Sequence, residues 1–315
     1  MSAFGESNLD VYYSDRYTLE LPESNRFPKV KYQLLRDYLL SEKILRSDEI
    51  RESPLAAPEV LKLAHTGDYV ESMRTGTVSQ EILKSIGFPW SPALYARSCA
   101  TVGGAIESAK SALRNGIAGN LAGGAHHSHA DRGGGYCVFN DIAVAARYLR
   151  QHRLAERIAI VDLDVHQGNG NSSILGQDVD LFIFSMHGEK NYPFRKVPSH
   201  LDIGLPNDTG DDEYLLNLDR GLREVGQFGP DFIFYQMGVD PLKEDSLGKL
   251  SLTFDGLMER DRRVLRLARS RKIPVSLALG GGYAKPIELS VQAYANTYRV
   301  VQSLYFSSTP KSETN

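Results

Sequence analysis

Short apolar runs alternate with longer amphipathic stretches along most of the chain. Such runs are typical of parallel strands, which are apolar throughout because helices cover both faces of a parallel sheet. We predict a strand near residues 11–13 and further strands at residues 119–123, 158–164, 181–186, 232–237 and 275–279. Apolar residues at helical spacing predict helices at residues 94–114, 140–151, 211–228 and 254–272.

This alternation predicts an α/β fold with a mainly parallel central sheet and helices on both faces. No Ser/Gly-rich or Pro-rich linker divides the chain. We therefore predict a single domain over residues 1–306, followed by a polar tail over residues 307–315 that we expect to be flexible. The first 90 residues are less regular, with short helices and turns marked by proline.

Polar and ionisable residues follow the predicted strands at the point where each strand ends. Open α/β sheets bind ligands beyond the carboxyl ends of their strands, so these residues are expected to meet at one edge. In chain order they are His126 and His127, then Asp162, Asp164, His166 and Asn169, then His187, then Asp240 and Asp245, and finally Tyr283.

The second of these groups has the spacing of a metal site. Side chains alternate along an extended segment, so Asp162, Asp164 and His166 would share one face. Carboxylates that point the same way repel each other, and a divalent cation such as zinc would relieve that repulsion. A catalytic ion needs about three protein ligands, and spacing leaves Asp240 and Asp245 as near-equal candidates for the third. The alternative is an acidic strand end that water solvates.

The adjacent histidines and Tyr283 suggest acid–base chemistry beside such an ion. His126 and His127 would be ligands or proton-transfer groups, unless they form a pair that faces solvent. Asp162 and Asn169 are candidate acceptors for their second ring nitrogens. Tyr283 follows three glycines and would aim its hydroxyl at a developing oxyanion, or else pack as a core tyrosine.

Together these motifs resemble the histone deacetylase superfamily, which shares the arginase-like α/β fold. The similarity covers about residues 61–305 and rests on four motifs that occur in the family's order. They are GGAHH with GGGYC (residues 123–127 and 133–137), DLDVHQGNG (162–170), GVD through EDSLG (238–248) and GGGY (280–283). Local sequences such as HQGNG are most similar to class IV deacetylases, of a bacterial type.

The resemblance implies zinc-dependent hydrolysis of the amide bond of an N-acylated lysine by a metal-activated water. It assigns the zinc to Asp164, His166 and Asp245, and so favours Asp245 over Asp240. The substrate would be an acylated lysine side chain of a protein. The alternative is a small acylated amine such as an acetylpolyamine.

The resemblance also assigns roles around the ion. His127 would be the principal general base and then acid, while His126 gives electrostatic support with Asp162. Tyr283 would donate a hydrogen bond to the oxyanion. Class I enzymes have Asp where Asn169 stands, so the second histidine here would be less basic.

Two further features come from the resemblance alone. Gly135 and Tyr136 would wall a narrow channel for the alkyl stem of the substrate. A potassium ion would lie beneath the catalytic metal, held by Asp162, Asp164, His166, Ser185 and Met186.

Composition limits the classes of partner that we expect this protein to bind. The formal net charge is -3, from 36 basic and 39 acidic side chains, which gives no electrostatic footprint for nucleic acid or an anionic membrane. Two cysteines exclude a disulfide scaffold and a cysteine-only metal site. No segment approaches the roughly 20 apolar residues that span a bilayer. We expect a cytoplasmic protein.

The sequence gives less support to three other functions. Acetylpolyamine hydrolysis would call for an acidic specificity loop, and no acidic cluster lies near Phe88. A catalytically silent acyl-lysine binder would lack a metal ligand or Tyr283, and neither is missing. A two-metal ureohydrolase needs additional Asp and His ligands that the sequence does not show.

Overall fold

Eight strands form one sheet in the computed structural model, which describes residues 8–22 and 25–306. The strands are β1 (Asp10–Tyr13), β2 (Ile50–Glu52), β3 (Ile117–Asn120), β4 (Ile158–Asp162), β5 (Leu181–Gly188), β6 (Leu201–Leu205), β7 (Phe232–Gln236) and β8 (Val275–Ala278). Their order is β2-β1-β3-β8-β7-β4-β5-β6. Every neighbouring pair is parallel, so all carboxyl ends lie along the same edge.

Helices pack on both faces of this sheet. They are α1 (Lys31–Ser41), α2 (Pro58–Leu61), α3 (Gly67–Thr75), α4 (Gln80–Ile86), α5 (Pro92–Asn115), α6 (Asp141–Gln151), α7 (Asn169–Leu175), α8 (Asp211–Phe228), α9 (Phe254–Ser270) and α10 (Glu288–Val301). Strand β4 shows the two layers, because Ala159 and Val161 join one apolar cluster while Ile158 and Ile160 join the other. The predicted parallel sheet with two helical layers is confirmed.

Local sequence signals determine where the long helix α5 begins and ends. The Ser91 side chain caps its start by accepting a hydrogen bond from the Leu94 amide at 3.1 Å, and Pro92 occupies the first turn. Gly116 ends the helix in the left-handed conformation, with φ of 85°. The helix therefore delivers the chain directly into β3.

Most predicted elements match observed ones to within a few residues. The strand predicted at residues 119–123 ends earlier, because Gly123 (φ 88°) and Gly124 (φ 75°) turn the chain out of the sheet. Strands β2 and β6 and helix α10 were not predicted. The predicted tail at residues 307–315 lies outside the described residues. Within the described ranges, no helix combines the length and apolar character needed to cross a membrane.

Candidate active site

A cavity of about 510 Å³ opens at the carboxyl edge of the sheet. The structure places predicted polar residues from three separate segments around it. They include His126, His127, Asp164, His166 and Tyr283. The predicted convergence of strand ends at one edge therefore occurs.

Asp164 and His166 lie together at the base of the cavity with Asp240. Their candidate ligand atoms fall within 4.8 Å of one another. The His166 Nδ1 atom is 3.0 Å from Asp164 Oδ1 and 3.0 Å from Asp240 Oδ2. Asp164 Oδ2 accepts a hydrogen bond from the Gly281 amide at 2.6 Å, which fixes that carboxylate against the loop after β8.

The charge balance at this base suits a divalent cation. Asp162, Asp164, Asp240 and Asp245 are all buried, and in the described part of the chain none forms an ion pair with lysine or arginine. Burial, and next the charge of Asp164, raises the pKa of Asp240 to about 7. Crowded buried carboxylates of this kind are stabilised by a metal ion, and the carboxylate and imidazole donors suit zinc.

Asp245, the predicted third ligand, lies outside that closest group. Its Oδ1 accepts hydrogen bonds from the Leu247 and Gly248 amides at 2.8 and 2.9 Å. Its Oδ2 accepts from the Tyr283 amide at 2.6 Å. Asp245 thus ties the loop after β7 to the loop after β8. Its role as a ligand stays a prediction, while Asp240 is the carboxylate that the structure groups with Asp164 and His166.

The histidine pair is positioned by the turn that follows β3. The Asp141 carboxylate, at the start of α6, accepts hydrogen bonds from the Gly124 and Ala125 amides at 3.1 and 2.7 Å. The His126 carbonyl accepts from the Gly170 amide at 2.8 Å, at the start of α7. The backbone before and after the first histidine is therefore anchored to two helix starts.

The two rings have different partners and different electrostatics. His126 Nδ1 lies 2.8 Å from Asp162 Oδ2, and His127 Nδ1 lies 2.8 Å from Asn169 Oδ1. Burial opposes protonation of His126, but the charges of Asp162 and Asp164 outweigh it and raise its pKa. Burial, followed by the neighbouring His126, lowers the pKa of His127 well below its usual value. His127 is therefore the ring of the pair that is neutral at neutral pH.

Tyr283 lines the cavity from a glycine-rich loop that a buried lysine holds. Lys31 Nζ donates to the Gly280 and Gly282 carbonyls at 3.2 and 3.3 Å. It also lies 5.5 Å from the centre of the Tyr283 ring and 5.4 Å from that of Tyr294. Sequence reasoning missed Lys31, because its partners lie about 250 residues further along the chain.

The comparisons with known proteins decide the family. The sequence pattern of the histone deacetylase domain matches residues 25–298 of the chain. The chain belongs to the histone deacetylase family.

Its relatives include proteins of bacteria and plants. A protein of Picosynechococcus described as uncharacterized is 41% identical over 296 residues, covering 94% of this chain and 98% of the relative. Histone deacetylase 2 of Arabidopsis thaliana is 32% identical over 293 residues, covering 89% and 76%. The acetoin utilization protein AcuC of Bacillus subtilis is 29% identical over 295 residues, covering 86% and 76%.

Solved structures of the family share the fold. The HD domain of HDA15 superposes with a TM-score of 0.80 at 20% identity, covering 96% of this chain and 90% of the other. An HDAC homolog in complex with SAHA also gives a TM-score of 0.80, at 24% identity, covering 96% and 85%. The predicted arginase/deacetylase-type fold is confirmed. Family membership supports a hydrolase of the deacetylase type, whereas assignment to class IV stays a prediction.

The wall of the cavity in this histone deacetylase family member includes both predicted channel residues. A Cβ atom on Gly135, where φ is 54°, would lie 2.6 Å from His127 Cδ2, so only glycine allows this approach. The centres of the Tyr136 and Phe88 rings lie 5.3 Å apart. The Tyr192 ring packs edge to face against the His127 ring, with 4.8 Å between the ring centres. Sequence reasoning missed Tyr192.

The residues predicted to hold potassium lie on adjacent strands. Asp162 of β4 pairs in register with Ser185 of β5, and Met186 follows on the same strand. The Ser185 hydroxyl lies 3.0 Å from His187 Nδ1. The monovalent cation site itself stays a prediction.

Proposed function

We propose that this chain is a zinc-dependent deacylase that hydrolyses the amide bond of N-acylated lysine. The observation that carries the proposal is the juxtaposition of Asp164 and His166 with the buried pair His126 and His127 at the base of one cavity. Family membership supports the reaction class. The two predicted channel residues in the cavity wall support a substrate with a long alkyl stem.

The chain's own groups have distinct tasks in this reaction. A bound zinc ion supplies a Lewis acid that polarises the amide carbonyl and acidifies water. Asn169 Oδ1 can only accept, so His127 Nδ1 donates to it and leaves Nε2 free. His127 takes a proton from the attacking water and returns it to the leaving amine. His126 adds positive charge nearby, and Tyr283 donates to the oxyanion.

The finer assignments rest on the resemblance. The buried Asp162 carboxylate beside Ser185 supports potassium as a second, structural cation. Class IV, a cytoplasmic location and the absence of a nucleic-acid partner belong to the same proposal. Charge disfavours an acetylpolyamine, because the free ammonium groups of that substrate would meet Lys84, Lys190 and Lys249 around the cavity.

A substrate panel tests the function. Zinc-loaded protein is incubated with an acetyl-lysine peptide, a long-chain acyl-lysine peptide and an acetylpolyamine, each with and without chelator. We expect cleavage of at least one lysine peptide and its loss on chelation. The proposal fails if zinc-loaded protein cleaves none of these amides, and a polyamine preference would reassign the substrate.

A matched pair of variants decides the third ligand. We expect Asp245→Asn to lose stoichiometric zinc, and Asp240→Asn to weaken zinc affinity by roughly 10–100-fold, because Asp240 would orient His166 without binding the ion. Metal content by atomic emission and affinity by competition give the two numbers. The reverse pattern would make Asp240 the ligand, in agreement with its closer approach to His166.

A further inference from the structure

The mouth of the cavity carries unpaired positive charge. Lys84 on α4, Lys190 after β5 and Lys249 before α9 line it and are exposed. Asp164, at the base, is the one carboxylate among the described lining residues. In the described part of the chain the lysine ion pairs are Lys62–Glu59 and Lys110–Glu107, so these three lysines have no carboxylate partner within 4 Å.

Two of the three ammonium groups come from loops that contact each other. Lys249 Nζ donates to the Lys190 carbonyl at 3.1 Å, which holds the two segments side by side. Phe194 also lines the mouth, and the residue has a relative exposure of 87%. Exposed lysines from three separate segments and an exposed aromatic ring therefore line the same cavity.

We propose that the preferred substrate is an acylated lysine flanked by acidic side chains. The inference rests on the deacylase function proposed above and names its substrate class. Exposed positive charge at a cleft attracts a negative partner and repels a positive one, most strongly at low ionic strength. A basic segment such as a lysine-rich tail is therefore a poor substrate.

Three peptides that share an acetyl-lysine core and differ in flanking Glu, Gln or Lys residues test this preference. We expect kcat/KM to fall in that order, by roughly tenfold from first to last at low salt, with the differences shrinking at high salt. Combining Lys84→Gln, Lys190→Gln and Lys249→Gln should remove most of the order. Lys272→Gln, an exposed lysine just before β8 on the opposite edge, is the matched control.

Fluorescence anisotropy of the labelled peptides with the full chain provides a second readout. Equal affinity for all three peptides, or tighter binding of the Lys-flanked one, would overturn the substrate class. Failure of every peptide to be cleaved would remove the deacylase function instead, while the binding order would still be measured.

A second inference comes from the hydrogen bonds behind His127. Asn169, which faces His127 through Oδ1, lies with Nδ2 3.1 Å from His129 Nε2. His129 Nδ1 lies 2.7 Å from Ser173 Oγ, and Ser173 donates to the Gly170 carbonyl at 3.3 Å. An unbroken chain of polar contacts therefore joins the general base to the protein surface.

The Gly170 carbonyl, at the end of these contacts, determines which atom is the donor in each hydrogen bond of the series. A carbonyl only accepts, so Ser173 donates to it and its oxygen is left to accept from His129 Nδ1–H. Burial, and next the charge of Arg132, lowers the pKa of His129, whereas Asp131 has a smaller opposite effect. The neutral His129 ring then has a bare Nε2 that accepts from the Asn169 amide group. That contact turns Asn169 Oδ1 towards His127.

We infer that His129 is a positioning residue that sets the tautomer of His127 through Asn169. An amide has one accepting end, so its orientation depends on a partner for its NH₂ group. A carboxylate at the same position would accept from His127 without such a partner. This inference too rests on His127 acting as the base of the proposed reaction.

The test compares His129→Phe in two backgrounds. In the natural chain we expect kcat to fall by about 10–100-fold, with KM and zinc content unchanged. In the Asn169→Asp background the same change should cost less than about twofold, because a carboxylate specifies the tautomer by itself. His129→Gln, which restores an accepting oxygen, should recover most of the loss.

Nitrogen NMR of the histidine rings reports the His127 tautomer directly and does not depend on turnover. We expect the Nδ1–H form in the natural chain and a mixture in His129→Phe. Equal kinetic losses in both backgrounds, or an unchanged tautomer, would show that His129 is structural only. A protein that cleaves no amide but shows the tautomer change would refute the proposed reaction and retain the positioning role of His129.

Discussion

Side chains that share a motif have unequal roles because their partners differ. Asp162 and Asn169 both accept from an Nδ1 atom, yet one is charged and the other neutral. The motif HQGNG made Asn169 visible from the sequence. The choice between Asp240 and Asp245 could not be made from spacing, because it depends on how the loop after β7 folds back on itself.

The hydroxyl of Tyr283 is expected to act on the transition state and on little else. Tyr283→Phe should retain zinc and fold while lowering turnover by roughly 10²–10³-fold, as for the loss of one oxyanion donor. Steady-state kinetics with zinc analysis measure this. Tyr294→Phe, which removes a hydroxyl bonded to the Gly281 carbonyl, is a control for general loosening of the loop. An unchanged rate would remove Tyr283 from the mechanism.

At the scale of elements, the buried core was more predictable than the edges. Strands β4, β5, β7 and β8 are apolar runs, and each was predicted close to its true bounds. Strand β6 was missed because its residues alternate between half-buried and exposed until the buried Leu205, as an edge strand allows. Helix α10 was missed because polar Ser290 and Thr297 are buried on it, which hides the amphipathic pattern.

Helix α1 supplies the anchor of the Tyr283 loop through its first residue. Lys31→Met removes both hydrogen bonds to the Gly280 and Gly282 carbonyls while keeping a long side chain. We expect kcat to fall by roughly 10–10²-fold with zinc retained, because a displaced catalytic group loses its alignment. Lys29→Met, at an exposed position nearby, is the control. Equal kinetics for the two variants would contradict the anchoring role.

Packing of α8 on β5 requires the absence of a side chain. A Cβ atom on Gly221 would lie 2.0 Å from the Phe184 ring. Although alanine ordinarily favours a helix by about 1 kcal/mol over glycine, Gly221→Ala should lower the free energy of unfolding by about 1–3 kcal/mol. Urea denaturation measures it. Gly67→Ala, where no atom lies within 4 Å, should show no such loss.

At the scale of the whole molecule, one buried histidine joins segments that are far apart in sequence. His65 Nε2 accepts from the Asn140 amide at 2.9 Å, so its Nδ1 donates to the His129 carbonyl at 3.0 Å. The region before α3, the segment after the histidine pair and the start of α6 therefore meet at a single ring. Sequence reasoning gave this residue no role, since a lone histidine has no motif.

Protonation of His65 should destabilise the fold. Burial lowers its pKa to about 4, from about 6.5 in the unfolded chain. Between these values the unfolded chain binds a proton that the folded chain does not, so stability is lost as the pH falls. From pH 7 to pH 5 this amounts to about 2 kcal/mol. Urea denaturation at both pH values should show a smaller loss in His65→Gln, and equal losses would exclude His65 as a source.

The Asp245 carboxylate, which accepts from the Tyr283 amide, has a thermodynamic consequence. A single side chain is shared by the two loops that would hold opposite ends of the reacting group. If an ion bound at Asp245 changes the affinity for an oxyanion mimic, the mimic must change the ion affinity by the same factor. An inhibitor that contacts only the Tyr283 side of the site would then bind with an affinity that depends on whether the ion site is occupied.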